Sequence, residues 1–420
     1  MASGRAVNFI RARPKFFDRH SGAPQEGRKG EDLRCLLETD VIEARFHDSI
    51  ERIPAAAWDA LRPDDNPFVS HAFLALLERT GCVRPDGGWQ AHHLGLYEDG
   101  ELIAAAPLYL KGNSHGEFVF DWSWASAWER AGGDYYPKLL NAVPYSPVPG
   151  PRLLAGRGAR TAERQQALTS AMRHFAERMN LSSVHANFLR DDELAAFDGP
   201  WINRSDVQFH WHNRGYADFA GFLGALNHKK RKNIRQERAH VAQAGLSIEM
   251  RGGGTLGADE WRQIHTLYEA TFDAKGNHAA LTRPMFQGMG DTLGDSVQVA
   301  LARHGEHIVA MALFLQSSDT LYGRYWGAEL DVPGLHFELC YYQGIEHAIR
   351  HGLQRFEPGA QGEHKLARGF LPVRTHSRHY LVNRSFRDAV QQAMLREAEA
   401  MDEYARELLQ HSPYAHAPGT

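Results

Sequence analysis

Short apolar runs separated by turn residues organise the first half of the chain. His92–Tyr97 and Leu102–Leu110 read as strands joined by the turn Glu98-Asp99-Gly100-Glu101, and Phe118–Trp124 reads as a third extended run after the glycine-containing stretch Gly112–Gly116. About two hundred residues later the same meander returns. Val297–Ala302, the turn His304-Gly305-Glu306, Ile308–Leu315, the turn Ser317-Ser318-Asp319 and Leu321–Trp326 follow one another in that order. A helix comes after each meander. Leu168, Met172, Phe175 and Met179 fall on one helical face of Thr161–Met179, which stops at Asn180 before the extended run Leu181–Phe188. Leu335–His351 is likewise helical, stops at Gly352 and gives way to Leu353–Glu357. Helices also precede each meander: Phe73–Leu77 in one half, and a face of Trp261, Ile264, Leu267, Tyr268 and Phe272 in the other.

Helices, antiparallel meander, helix and closing strand is the order of the acetyltransferase-type (GNAT) fold, an analogy that concerns fold and not chemistry. The expectation is an α/β (α+β) protein with two tandem GNAT-like lobes, each a mixed, mostly antiparallel sheet flanked by helices. Residues 1–40 are expected to be a disordered basic tail, 41–197 the first lobe, 198–216 a connector, 217–385 the second lobe, and 386–420 a C-terminal helix and tail. The length of 420 residues suits two domains, and 43% hydrophobic with 23% charged residues is ordinary globular composition. A net charge of -4 excludes a global attraction to nucleic acid, so any such contact must be a local patch. Cys35, Cys82 and Cys340 make neither a disulfide framework nor a paired metal motif, which predicts a reducing, cytoplasmic setting. No apolar run approaches the roughly 20 residues that span a bilayer. Arg5, Arg11, Arg13, Lys15 and Arg19 give the N-terminus a transit-peptide flavour, but basic composition alone reads as a tail.

Three regions could carry chemistry. The first is the run His228–Arg238, with Lys229, Lys230, Arg231, Lys232 and Arg235, on a helix predicted to end at Gly245. Such a helix is either a solvated face or an anion site for tRNA, a phosphorylated carrier or coenzyme A. The second is Gly156-Arg157-Gly158-Ala159, ahead of the Thr161 helix, where backbone N–H groups can cradle a phosphate. The acetyltransferase loop begins with Gln or Arg, a place Leu153 takes here, and Gly327–Gly334 in the second half carries acids and a proline instead. The third and densest region runs from Tyr322 to His379. Its strand puts Tyr322, Arg324 and Trp326 on one face and Tyr325 on the other. His336, Glu338, Glu357, Gln361, Glu363, His364, Lys365 and Arg368 follow, bracketed by Gly359, Gly362 and Gly369. Glu or His there can take a proton from an amine, and Lys or Arg can polarise an acyl group; the alternative is an ion-pair network joining the lobes. His347 and His351 have a zinc-compatible spacing but no third ligand, and histidine is favoured in a last helical turn in any case.

Leu321-Tyr-Gly-Arg-Tyr-Trp-Gly327, Leu335-His-Phe-Glu-Leu-Cys-Tyr-Tyr342, Phe356–Lys365 and Ala367–Pro372 resemble blocks of the FemAB-like family of N-acyltransferases. So do Pro107–Lys111, Gly116–Trp122, Tyr135–Leu139 and Gly150–Leu154 in the first half. The likeness covers roughly Asn66 to Tyr414, and departs from the family where Lys111-Gly-Asn-Ser-His115 replaces a Ser-His-Ser type sequence. It implies a tandem GNAT-like fold related to the Fem aminoacyl transferases of peptidoglycan cross-bridge synthesis. Those use aminoacyl-tRNA and carry a basic helical sequence in the second lobe; their long helical arm has no counterpart here.

The expected function is therefore N-acyl transfer, from acyl-CoA or aminoacyl-tRNA as donor to a small-molecule or peptide amine. Glu338, Glu363, His364 and Lys365 are the expected catalytic groups. Tyr322, Arg324, Tyr325, Trp326, His336, Glu357 and Arg368 are expected to bind substrate, with Glu117, Asp121 and Trp122 on the cleft wall of the first lobe. Lys229, Lys230, Arg231, Lys232, Arg235, Gly156 and Gly158 are the expected donor or anion contacts. A non-catalytic recognition protein for an aminoacylated or cell-wall ligand, and a metal-dependent enzyme on the same scaffold, are the alternatives.

Overall fold

The computed structural model describes residues 7–9, 42–360 and 362–415. The expected basic tail, apart from 7–9, and Gln361 lie outside them. In the first half, β1 (Val7–Phe9) runs parallel to β2 (Ile42–His47), followed by α1 (Ala55–Asp59), α2 (His71–Arg79), β3 (Trp89–Ala91), β4 (His93–Glu98), β5 (Glu101–Ala106) and β6 (Leu108–Lys111). Then come α3 (Trp122–Arg130), β7 (Lys138–Asn141), α4 (Thr161–Arg178), β8 (Ser183–Leu189) and β9 (Ile202–His212). The second half holds α5 (Phe219–Ala225), α6 (His228–Gln243), β10 (Ser247–Gly252), α7 (Ala258–Asp273), α8 (Arg283–Leu293), β11 (Val297–His304), β12 (His307–Gln316) and β13 (Thr320–Ala328). It continues with α9 (Leu335–Phe337), a π turn over Glu338–Tyr342, α10 (Gln343–Arg350), β14 (Arg355–Glu357), β15 (Leu371–Leu381) and α11 (Arg384–Gln410). The repeated order of elements is present: two helices, meander, helix, strand, closing strand.

The two halves share one sheet. Its order is β10-β11-β12-β13-β14-β9-β15-β8-β7-β6-β3, so each half lends its last strand to the other. β9 closes the first half yet pairs with β14; β15 closes the second yet pairs with β8; and the two exchanged strands pair with each other, antiparallel, from Leu371↔His210 to His379↔Ile202. A separate four-stranded sheet, β1-β2-β4-β5, lies on the first half. Pro107, which has no N–H to donate, marks the break between β5 and β6 that divides the two sheets.

Two sequence expectations are corrected. The segment 198–216, read as a connector, contains β9, one of the central strands. Its Val207, Phe209 and Trp211 are buried in the second-half core with Phe222 and Leu408, while Gln208 and His210 occupy the opposite face, also buried. Because that second face is polar, the alternation does not look like a core strand. Phe118–Trp124, read as extended, is a loop that turns into α3 at Trp122, and the third strand of that meander is β7.

Candidate functional site

A proline-rich strap of the first half, Val143–Pro151, crosses the seam between the halves. Arg324 donates from Nη2 to the Tyr145 carbonyl at 2.7 Å, the Tyr325 hydroxyl donates to the same oxygen at 3.2 Å, and Gln208 Nε2 donates to the Pro147 carbonyl at 3.0 Å. On one side of the strap lies an interlobe cleft of about 610 Å³. Asp206, Gln208, Thr375 and Ser377 of the exchanged strands form its floor, Phe118 and Phe120 one wall, and Lys275, Arg324 and Tyr325 the other.

The cleft is continuous with a wedge of the second half. β13 and β14 are parallel neighbours through the pair Tyr322↔Glu357 and part beyond it. The gap, about 270 Å³, is lined by Arg324, Tyr325, Trp326, His336, His364 and Lys365, and shares Arg324, Tyr325, Gly359 and Ala360 with the cleft. Lys365 is buried, donates to the Gly359 carbonyl at 2.7 Å, and burial brings its ammonium down to about 8. His364 shares a hydrogen bond of 2.8 Å with the Tyr341 hydroxyl, and burial brings His336 down to about 4, so it is neutral at pH 7. The matching gap of the first half is filled. Beyond Asn141↔Ala186 of β7 and β8, Gly150 N–H donates to the Phe188 carbonyl, and the buried Arg152 donates to the carbonyls of Asn187 and Val148.

Glu357 stands where β13 and β14 part. It is 6% exposed, its Oε2 has no hydrogen-bond partner among the described residues, and His210 Nδ1 lies 4.0 Å from Oε1. Burial pushes its carboxyl up to about 8 and the imidazole of His210 down to about 3. Tyr322 accepts a 3.4 Å hydrogen bond from Asn66 beside it.

Other expected groups are engaged elsewhere. Glu338 accepts two hydrogen bonds from Arg238, at 2.9 and 3.0 Å, and one from Gln343, which ties α6 to the π turn. Glu363 accepts from Tyr404 of α11. Arg368 is bound to Glu237 at 2.7 Å and lies over the Phe337 ring. These three contacts stitch elements together and line neither the cleft nor the wedge, in contrast to His364, Lys365 and His336.

Glu117 and Asp121 are buried in the first half beneath the cleft wall. Lys138 donates to Glu117, Asp121 and Ser114 at 2.8, 2.5 and 2.8 Å, and this ion cluster anchors the loop that presents Phe118 and Phe120. Burial pushes the Glu117 carboxyl up to about 7. Trp122 is half exposed and stacks on Phe120 at 4.6 Å. Beside the cluster, His185 and His379 meet across the exchanged pairing with their Nδ1 atoms 2.7 Å apart, and Ser377, on the cleft floor, bonds His379 at 2.9 Å. Sequence reasoning missed Lys138, His185, His379 and Ser377. For the last three, the i, i+2 spacing of polar residues on two strands was the available signal.

Among the described residues, Lys229, Lys230, Arg231, Lys232 and Arg235 form no ion pair. They crowd the N-terminal half of α6, where the helix dipole disfavours cations and no acid sits in the first turn. Gly156 and Gly158 have φ of +66° and +145° and precede α4 at a separate cavity of about 370 Å³ that Glu193 also lines, away from the cleft. His347 and His351 are bound to the Gln316 side chain and the His347 carbonyl respectively, and no group of three His, Cys, Asp or Glu among the described residues could hold a metal. No helix among them is long and apolar enough to cross a membrane.

Among solved structures, FemX superposes with a TM-score of 0.50 at 12% identity, covering 81% of this chain and 98% of that one. The C-terminal domain of a putative lysylphosphatidylglycerol synthetase from Agrobacterium fabrum gives 0.49 at 12% identity, covering 82% and 95%. A tandem GNAT protein from the clavulanic acid biosynthesis pathway gives 0.43 at 12%, covering 81% and 99%. At such identities the likeness to FemX shows the fold alone. No curated protein matches the sequence. Residues 49–416 match the FemAB-like family, described as peptidoglycan biosynthesis/recognition. With residues 49–416 matched, the chain belongs to the FemAB-like family.

Proposed function

We propose that the protein transfers an acyl or aminoacyl group from an activated donor to an amine, with the acyl arm in the wedge between β13 and β14. The observation that carries this is the asymmetry of the two halves: the second-half gap is open and leads into the interlobe cleft, whereas the first-half gap is filled by Gly150 and Arg152. Glu357, in the last β13–β14 pair before the open gap, replaces Glu338 and Glu363 as the proton acceptor, since those two are held by Arg238 and Tyr404. The ammonium of the acceptor gives a proton to the Glu357 carboxylate. Its nitrogen attacks the acyl carbon, the bond to the leaving sulfur or oxygen breaks, and that atom takes the second proton from nitrogen. In this reading Arg324 and Lys365, which line the gap, stabilise charge on the acyl oxygen.

Two features favour aminoacyl-tRNA over coenzyme A as donor. Glu329 and Asp331 precede α9, so carboxylates stand where a pyrophosphate would need backbone N–H groups. The unpaired cations of α6 suit an extended polyanion. Thermal shift and mass spectrometry against acetyl-CoA, longer acyl-CoAs and charged tRNA test the choice, because a ligand of the folded state raises stability with the logarithm of its concentration. Saturable stabilisation by charged tRNA is expected. With the productive donor, kcat/KM should rise with pH to a plateau above about 8, and Glu357→Gln should abolish that limb. Stabilisation by acyl-CoA alone would reassign the donor, and full turnover by Glu357→Gln would remove Glu357 from the mechanism.

A further inference from the structure

Across the strap from the interlobe cleft lies a second cavity of about 660 Å³. Pro147 faces the cleft, while Pro149 and Gly150 face this cavity, so the strap divides the two. Glu357 and Tyr322 form part of its wall, and the wedge opens on the other side of the Tyr322↔Glu357 pair. The carboxyl of Glu357 is thus reached from the cavity at the point where the strands begin to part.

The cavity is lined by six carboxyl groups and four guanidiniums. Most of the guanidiniums are used up. Arg190 is paired with Asp64 and Asp192, Arg355 with Asp319, and Arg374 with Asp402. Among the described residues, Asp65, Asp191 and Glu357 have no guanidinium partner: Asp65 accepts only from Ser318, and Asp191 meets only His376. Arg157 alone is left without a carboxylate, donating to the Pro63 carbonyl. The mouth is therefore net negative, and at its floor a 6% exposed carboxyl leaves one oxygen without any partner. A buried acceptor of that kind is costly unless something arrives to fill it. His210 beside it is buried and neutral and supplies no compensating charge.

We propose that this second cavity is the docking site for the acceptor's primary alkylammonium group, on the opposite side of the strap from the cleft into which the wedge opens. The proposal rests on the acyl-transfer reading and names the charge and the route of its second substrate. A cation entering here finds Asp65 and Asp191 at the rim and Glu357 at the floor. Once Glu357 takes its proton, the neutral nitrogen lies beside the Tyr322↔Glu357 pair, beyond which the strands part to form the wedge.

The test uses the full chain and two probes, Nα-acetyl-L-lysinamide and its uncharged analogue Nα-acetyl-L-norleucinamide. Binding is read by saturation-transfer NMR, and occupancy of the floor by protection of Glu357 from carbodiimide labelling, mapped by peptide mass spectrometry. The lysine probe should bind saturably and protect Glu357, and the norleucine probe should bind at least about tenfold more weakly. Glu357→Gln, which keeps the shape, should weaken the lysine probe by about tenfold, and the exposed rim changes Asp65→Asn and Asp191→Asn by a few-fold each, roughly. Glu338→Gln should leave binding unchanged. Equal binding of the two probes, or unaltered affinity in both Glu357→Gln and Asp65→Asn, overturns the proposal. Ammonium binding without turnover of any donor would uphold this site and sink the transferase reading; donor turnover without ammonium binding here would sink this site alone.

Discussion

Lys138 is the residue on which the cleft wall depends. It is fully buried, and its three short contacts to Glu117, Asp121 and Ser114 hold a loop whose next side chains are Phe118 and Phe120. Lys138→Met is expected to cost about 3–5 kcal/mol, because it removes the cation bonded to both buried carboxyls and leaves only Lys111, 3.8 Å from Glu117, to offset them; denaturant unfolding measures this. The lysine stands in a sequence block that resembles the family, yet its partners lie 17 to 24 residues earlier, and neither spacing nor composition announces the pairing. The same holds for the acids of the polar block. Glu338 and Glu357 look alike in sequence, but Arg238 arrives at the first from 100 residues away and no hydrogen bond from a described residue reaches Oε2 of the second.

At the scale of elements, α6 gives the cleanest test of a surface. It runs His228–Gln243, with Asn227 accepting from Lys230 N–H, and stops within two residues of the Gly245 end read from the sequence, because a closing glycine is a local signal. Lys229→Glu with Arg235→Glu should leave the unfolding free energy within about 0.5 kcal/mol per site, since neither side chain has an ion-pair partner among the described residues. Affinity for charged tRNA should fall, and the slope of log affinity against log salt should flatten by roughly 0.7–0.9 for each cation removed. Unchanged affinity would return α6 to a solvated face. β9 was illegible for the opposite reason. Its buried polar face, Gln208 and His210, makes sense only beside the strap and Glu357, which come from distant segments.

For the whole molecule, exchange of β9 and β15 makes each half complete only with the other. Urea unfolding followed by tryptophan fluorescence and by far-ultraviolet circular dichroism is therefore expected to give coincident transitions; two separated transitions would show that the halves fold independently. Acid should weaken the molecule as a unit. Burial lowers His185 and His210 to about 3, so the unfolded chain binds protons that the folded one refuses. Their contribution is fully present above the unfolded value near 6.5 and is lost as pH falls below it, by about 1.4 kcal/mol per pH unit for each histidine.

The duplicated order of strands and helices, the basic helix and the family likeness were determined by the sequence itself, because hydrophobic period, turn residues and caps act over a few neighbours. Tertiary structure alone decided that the halves exchange their last strands, that one gap is filled and the other open, and that Glu357 rather than Glu338 is left unpaired. Each of those outcomes depends on which distant chain segment reaches a buried polar group first, and in a close-packed interior only the folded arrangement settles that.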